Sequence, residues 1–113
     1  MTVSGIVQKG LGEAGPIYGL PTANITVGGW FRPGIYSGEV MVADKTYGAV
    51  ICYGAVKDKL EAHLLDFSGN LYGQTITVEI LDKVSDIDPL ISVEQMRDKI
   101  KQDVKKVRLC LQE

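Results

Sequence analysis

Apolar and polar residues alternate with a period of two in several parts of this chain, which is the pattern of half-buried β-strands. The segments with the clearest alternation are residues 36–42, 59–67 and 74–81. A weaker alternation over residues 2–8 predicts a first strand, and the continuous apolar run over residues 47–53 indicates a well-buried one. These patterns predict a protein built mainly from β-strands.

The period changes near the C-terminus, where apolar residues recur every three or four positions and predict a long amphipathic helix. The apolar stripe consists of Val93, Met96, Ile100, Val104, Val107 and Leu111. Ser92 followed by Gln95 has the spacing of a capping box and predicts where the helix begins. Five or six strands followed by one helix favour an antiparallel barrel with the helix packed against it.

Length and charge limit the classes of function. The chain has 113 residues, which predicts a single domain over 1–113, and its net charge of −2 argues against a nucleic-acid-binding surface. No apolar run approaches the ~20 residues of a membrane span, and the N-terminus lacks a signal pattern, so we expect a cytoplasmic protein. Cys52 and Cys110 have no metal-binding spacing; two free thiols are favoured, and a disulfide remains the alternative.

A glycine-rich segment over residues 10–19 contains Gly10, Gly12, Gly15 and Gly19. Glycines allow successive backbone N–H groups to approach phosphate oxygens and form an anion-binding concavity. The segment does not match the phosphate loop that ends in Gly-Lys-Ser/Thr, so a flexible hairpin or lid is the alternative interpretation.

Directly after this segment come Pro21, Thr22 and Asn24. Proline fixes the entering backbone, and residues two apart on an extended segment point to the same side. A hydroxyl and an amide oxygen are hard, neutral ligands suited to Mg²⁺, so Thr22 and Asn24 form a candidate metal site. A proline turn closed by local hydrogen bonds is the alternative.

Glu61 is the candidate general base. It lies in a predicted strand where Leu60, Ala62 and Leu64 oppose it, and partial burial would raise the pKa of its carboxyl group toward a useful range. A solvent-facing glutamate is the alternative. His63, the single histidine, is expected to have a structural role.

Together, residues 19–24 (GLPTAN), 61–67 (EAHLLDF) and 71–73 (LYG), with the terminal helix, resemble the riboflavin kinase family along nearly the whole chain. The resemblance implies a six-stranded antiparallel Greek-key barrel with one C-terminal helix. It also implies Mg²⁺-dependent transfer of the ATP γ-phosphoryl group to the 5′-hydroxyl of riboflavin, giving FMN.

The resemblance further assigns roles to individual residues. Thr22 and Asn24 would bind Mg²⁺ and the nucleotide phosphates, Glu61 would orient or deprotonate the ribityl hydroxyl, and residues 10–19 would cover the phosphates. This hypothesis requires Thr22, Asn24 and Glu61 to converge around one cavity. The expected partners are the small molecules riboflavin and ATP, with no nucleic acid or membrane, and the expected state is a monomer that does not make FAD.

Two alternative functions remain. Residues 10–19 contain Glu13 but no Arg or Lys, which favours a barrel that binds flavin or nucleotide without chemistry. The third hypothesis is an interaction domain that uses Trp30 and Phe31 as its contact surface.

Overall fold

The computed structural model describes residues 1–8, 22–28, 32–54, 58–67, 69–86 and 93–111, which contain six strands and one helix. The elements are β1 (Thr2–Ile6), β2 (Thr22–Thr26), β3 (Gly34–Val42), β4 (Lys45–Tyr53), β5 (Lys59–Leu64), β6 (Thr75–Ser85) and α1 (Val93–Leu111). The glycine-rich segment, the Trp30–Phe31 turn and the Ser92 cap all lie outside the described residues.

The six strands form one antiparallel sheet in the order β1-β6-β3-β4-β5-β2. A bridge between Gln8 and Asn24 then brings the two edge strands together, since the Gln8 N–H donates to the Asn24 carbonyl at 2.7 Å. This contact nearly closes the sheet into a barrel. The prediction of a mainly β, six-stranded antiparallel barrel with a C-terminal helix is therefore confirmed.

Alternation along the strands fills the barrel interior with apolar side chains. Ala23 and Ile25 of β2 and Leu60, Ala62 and Leu64 of β5 are all completely buried in this core. Because successive side chains of a strand point to opposite faces, the residues between them must lie on the outer wall. Core burial thus decides which face of β2 and β5 carries the polar residues.

Helix α1 covers the outer wall of β3, β4 and β6 with a second, smaller apolar cluster. Its members are Ile35, Val50, Cys52, Leu65 and Val107, with Val84, Val104 and Leu111 packed against them. The helix end approaches β4 at Gly48, where a Cβ atom would lie only 2.6 Å from Leu111 Cδ1. A side chain at position 48 would therefore require the end of the Leu111 side chain to move.

A buried polar cluster also attaches the helix to the end of β6. Asp103 is 1% exposed, and its two carboxylate oxygens accept hydrogen bonds from Ser85 Oγ (2.9 Å) and Lys99 Nζ (3.0 Å). Lys99 Nζ also donates to Ser85 Oγ at 2.7 Å. Each of the three side chains thus contacts the other two, which fixes the position of α1 along the barrel.

Several strand boundaries differ from the sequence-based prediction, and the largest differences are at the ends of β5 and β6. β5 ends at Leu64 because a turn follows, in which Asp66 has a φ of 57°, a value outside the β region. β6 continues to Ser85, past a shift in its register with β3 that the hydroxyl of Ser37 bridges by accepting the Asp82 N–H at 3.0 Å. Both cysteines are free thiols, as expected.

Candidate active site

The outer face of the β2–β5 pair carries a row of polar side chains. The pairing places Thr22 opposite His63, Asn24 opposite Glu61 and Thr26 opposite Lys59. We use the name polar row for Asn24, Thr26, Lys59, Glu61 and His63. The row exists because every alternate residue on these two strands is required in the core.

Asn24 and Glu61 are direct cross-strand neighbours in the polar row. Residues opposite each other in an antiparallel pair have Cβ atoms about 4.5–5.5 Å apart on the same face. The carboxamide and the carboxylate, 37 residues apart in sequence, therefore lie side by side on the outer wall of the barrel. Both side chains are partly buried, and that of Glu61 is 26% exposed.

The other predicted site residues are placed less completely. Thr22 begins β2, and its backbone is paired with that of His63. Gly10, Gly12, Gly15, Gly19 and Pro21 lie outside the described residues. These assignments therefore remain predictions.

Glu61 has a second neighbour on its other side, Cys52 of β4, which is 8% exposed. Cys52 belongs to the apolar cluster under α1. The Glu61 carboxylate thus lies between the polar outer face of β2 and the apolar outer face of β4, which α1 covers. A carboxylate in this position is partly shielded from water and still open to a ligand.

His63 is completely buried even though it lies on the outer wall. Its Nε2 lies 3.7 Å from Glu61 Oε2, and burial lowers the pKa of the imidazole to about 4. The desolvation cost of a buried cation thus outweighs the attraction of the nearby carboxylate. At neutral pH the imidazole is uncharged, so His63 and Glu61 do not form an ion pair.

The lowered pKa of His63 predicts that the protein loses stability in mild acid. Its folded-state pKa of about 4 lies below the unfolded value of about 6.5, so the unfolded chain binds the proton first. The contribution of the neutral His63 imidazole to the free energy of unfolding is complete above pH 6.5, and it disappears as the pH falls toward about 4. We expect the free energy of unfolding, measured by urea titration, to fall by about 2 kcal/mol between pH 7 and pH 5.

His63→Gln is the control for this measurement, because His63 is the chain's single histidine. The variant should keep nearly the same free energy of unfolding at pH 7 and pH 5, whatever its absolute stability. A wild-type protein equally stable at both pH values would show that the folded state protonates the imidazole as easily as the unfolded chain does.

Lys59 forms a hydrogen-bonded cluster at the far end of the polar row, which sequence analysis missed. Its Nζ donates to Gln8 Oε1 at 2.7 Å and to Thr26 Oγ1 at 3.1 Å. The Thr26 hydroxyl in turn donates to Gln8 Oε1 at 3.1 Å. The sequence feature that could have indicated this cluster is the position of Lys59, two residues before Glu61 on the polar side of a predicted strand.

A cavity of about 490 Å³ lies elsewhere, beneath the C-terminal end of α1. It is lined by Glu39, Gly48, Leu65, Asp66, Leu81, Arg108, Cys110 and Leu111. Two of the lining residues, Arg108 and Asp66, form a bidentate ion pair, which lowers the pKa of the Asp66 carboxyl group. No member of the polar row lines this cavity, so it is separate from the candidate active site.

The donor chemistry of the polar row fits Mg²⁺. This ion prefers oxygen ligands and retains several waters, so one or two protein oxygens are sufficient. Asn24 supplies an amide oxygen on this face, and Glu61 is its direct cross-strand neighbour. Within the described ranges, no group of three or more His, Cys, Asp or Glu residues could hold a metal.

No helix in the described part of the chain is long and apolar enough to cross a membrane.

Comparisons with known proteins agree with this fold. The riboflavin kinase family profile matches residues 1–111. A bifunctional riboflavin kinase/FMN adenylyltransferase of Haemophilus influenzae is 32% identical over 101 residues, covering 81% of this chain and 33% of the relative. The protein of the same description from Escherichia coli K12 is 31% identical over 110 residues, covering 89% of this chain and 35% of the relative.

Solved structures give the same barrel. A macrolide-efflux protein from Streptococcus pneumoniae superposes with a TM-score of 0.80 at 28% identity, covering 95% of this chain and 36% of that one. Riboflavin kinase from Trypanosoma brucei superposes with a TM-score of 0.69 at 22% identity, covering 99% of this chain and 80% of that one. At 22% identity, the similarity to the Trypanosoma brucei structure supports the fold alone.

The class of protein that these matches support is a β-barrel domain related to riboflavin kinases. The chain belongs to the riboflavin kinase family. It spans about a third of the length of the bifunctional relatives it matches.

Proposed function

We propose that this chain is a Mg²⁺-dependent riboflavin kinase, which transfers the γ-phosphoryl group of ATP to the 5′-hydroxyl of riboflavin. The observation that carries the proposal is the direct pairing of Asn24 with Glu61 on the outer wall of the barrel. Family membership supports the same reaction. The proposal assigns the phosphate side of the site to Thr22 and Asn24, and the acceptor hydroxyl to Glu61.

In the proposed step, the 5′-oxygen of riboflavin forms a bond to the γ-phosphorus while the bond between that phosphorus and the β,γ-bridging oxygen breaks. ADP leaves, and the hydroxyl proton passes to the Glu61 carboxylate and then to solvent. Because such transition states are loose, catalysis depends on positioning and charge stabilisation more than on a strong base. One partly buried carboxylate is therefore sufficient.

A magnesium ion would neutralise negative charge on the phosphate oxygens. Asn24 would hold it through the amide oxygen, with Thr22 as the second proposed ligand. Residues 10–19 would contribute backbone N–H groups through Gly10, Gly12, Gly15 and Gly19, and Pro21 would fix the backbone that enters β2.

The test of the proposal is conversion of riboflavin to FMN in the presence of MgATP, resolved by chromatography. We expect Asn24→Ala to lower turnover at least about tenfold and to raise the Mg²⁺ concentration needed for half-maximal rate, because an oxygen ligand is lost. Thr77→Ala is the matched control, since Thr77 is a polar residue on the outer wall of β6, away from β2 and β5.

Asn24→Ala with wild-type turnover and unchanged Mg²⁺ dependence would remove Asn24 from the site. Riboflavin binding without turnover at saturating MgATP would instead support the binding-barrel hypothesis that Glu13 suggests. If neither riboflavin nor ATP binds, the interaction-domain hypothesis would be favoured.

A further inference from the structure

Under the proposed function the polar row has a direction, because Thr22, which is assigned to the phosphates, lies at one end of it opposite His63. The glycine-rich segment leads from Gln8, which is bridged to Asn24 and hydrogen-bonded to Lys59, into Thr22 at the start of β2. β2 then runs past Asn24 to Thr26, so the Lys59 cluster lies at the opposite end of the row. The Asn24–Glu61 pair stands between the two ends.

Phosphoryl transfer imposes a matching direction on the substrates. The attacking and leaving oxygens lie roughly in line on opposite sides of the transferred group. If the nucleotide phosphates occupy the Thr22 end of the row, the molecule that supplies the attacking hydroxyl must extend from Glu61 toward the other end. The Lys59 cluster then lies along the acceptor.

Lys59 is held in place for such a contact. Gln8 and Thr26 accept two hydrogen bonds from its ammonium group, at 2.7 and 3.1 Å. An ammonium group has three N–H donors and a carboxamide has two, so the cluster retains N–H groups that can donate to a ligand. Because the lysine is already ordered by its neighbours, little further side-chain entropy would be lost on binding.

The spacing of the row suits a polyol. Residues two apart on a strand are about 6.5–7 Å apart, so Lys59 lies roughly that far from Glu61 on the same face. A chain of carbons bearing several hydroxyl groups can place its terminal hydroxyl at Glu61 and an inner hydroxyl at Lys59. Each hydroxyl oxygen can accept a charge-assisted hydrogen bond from an ammonium group.

We propose that Lys59, positioned by Gln8 and Thr26, recognises the inner hydroxyl groups of the acceptor's polyol chain and so determines acceptor specificity. This inference rests on the proposed kinase function for the identity of the acceptor. Lys59 is thereby added to Thr22, Asn24 and Glu61 as a residue of the proposed site. It contacts the acceptor and not the nucleotide.

The test compares wild type, Lys59→Met and the control Lys101→Met, which removes an exposed lysine from α1. Steady-state kinetics should give a KM for riboflavin about tenfold higher in Lys59→Met, with kcat and the KM for ATP unchanged, because one charge-assisted hydrogen bond is lost. Thr26→Val should shift the KM for riboflavin in the same direction by a smaller factor. A raised KM for ATP, with the KM for riboflavin unchanged, would overturn the inference by placing Lys59 on the nucleotide.

A flavin analogue whose side chain keeps the terminal hydroxyl and lacks the inner ones gives a second readout. With this acceptor, wild type and Lys59→Met should have the same KM, whereas a purely structural effect of the substitution would persist. A tenfold difference that remains with the analogue would contradict the inference.

Equilibrium titration with riboflavin separates this inference from the proposed activity. Tighter riboflavin binding by wild type than by Lys59→Met, without turnover, would overturn the kinase function and leave the recognition by Lys59 standing. Equal dissociation constants in the two proteins would overturn the inference even if wild type is an active kinase. A wild-type chain that does not bind riboflavin would overturn both.

Discussion

Replacing Glu61 with glutamine is expected to lower kcat for FMN formation about 10²–10⁴-fold, the usual contribution of a positioned general base. Glutamine has nearly the same shape as glutamate, so the strand pairing with Asn24 and Cys52 should survive. It cannot accept the hydroxyl proton, however, and it lacks the charge that orients the attacking group. The KM values for riboflavin and ATP should change little, because the loss falls on the transition state.

Glu79→Gln provides the matched control for this prediction. Glu79 is also a partly exposed glutamate on the outer wall, but it lies on β6, away from the polar row. Its substitution should leave kcat unchanged. A Glu61→Gln variant with wild-type kcat would remove Glu61 from the mechanism even if the chain is an active kinase.

The second large effect concerns stability, at the contact between α1 and the end of β6. Asp103→Ala should lower the free energy of unfolding by about 3 kcal/mol, because it leaves Lys99 and Ser85 without their carboxylate partner. Asp103 itself is almost fully buried, whereas the Lys99 side chain is 25% exposed. The partial exposure of Lys99 places the expected loss near the lower end of the range for buried ion pairs.

Urea unfolding at pH 7 measures this loss, and Asp98→Ala is the control on the same helix. Asp98 is exposed, so its replacement should change stability by no more than about 0.5 kcal/mol. Equal losses in the two variants would mean that the Ser85–Lys99–Asp103 cluster does not anchor the helix. The residual activity of Asp103→Ala would also indicate how far the outer wall near Glu61 depends on the helix.

Much of the fold could be predicted from residue patterns. Period-two alternation in residues 59–64 identified both the strand and its core face, and the later change of period identified the helix that the structure places at Val93–Leu111. These features are local: each side chain's direction follows from its position in a strand or helix. The strand limits were less accurate, since the turn at Asp66 and the register shift of β6 depend on neighbouring strands.

The candidate site could be predicted only in part. The sequence suggested Asn24 and Glu61 by residue type and by resemblance to a family, but their side-by-side position follows from the register between β2 and β5. The clusters around Lys59 and Asp103 have no sequence motif. The first combines side chains of Gln8, β2 and β5, and the second joins Ser85 of β6 to two residues of α1, so both clusters are complete only when these parts of the chain pack together.

By itself, the sequence determined that residues 59–64 form a strand and, through alternation, which of them face the core. Tertiary structure alone decided that the outer residues of β2 and β5 form one row, because backbone pairing between distant segments sets the register. It also decided the state of His63. Burial on the outer wall makes its imidazole neutral, and burial depends on what packs above a residue.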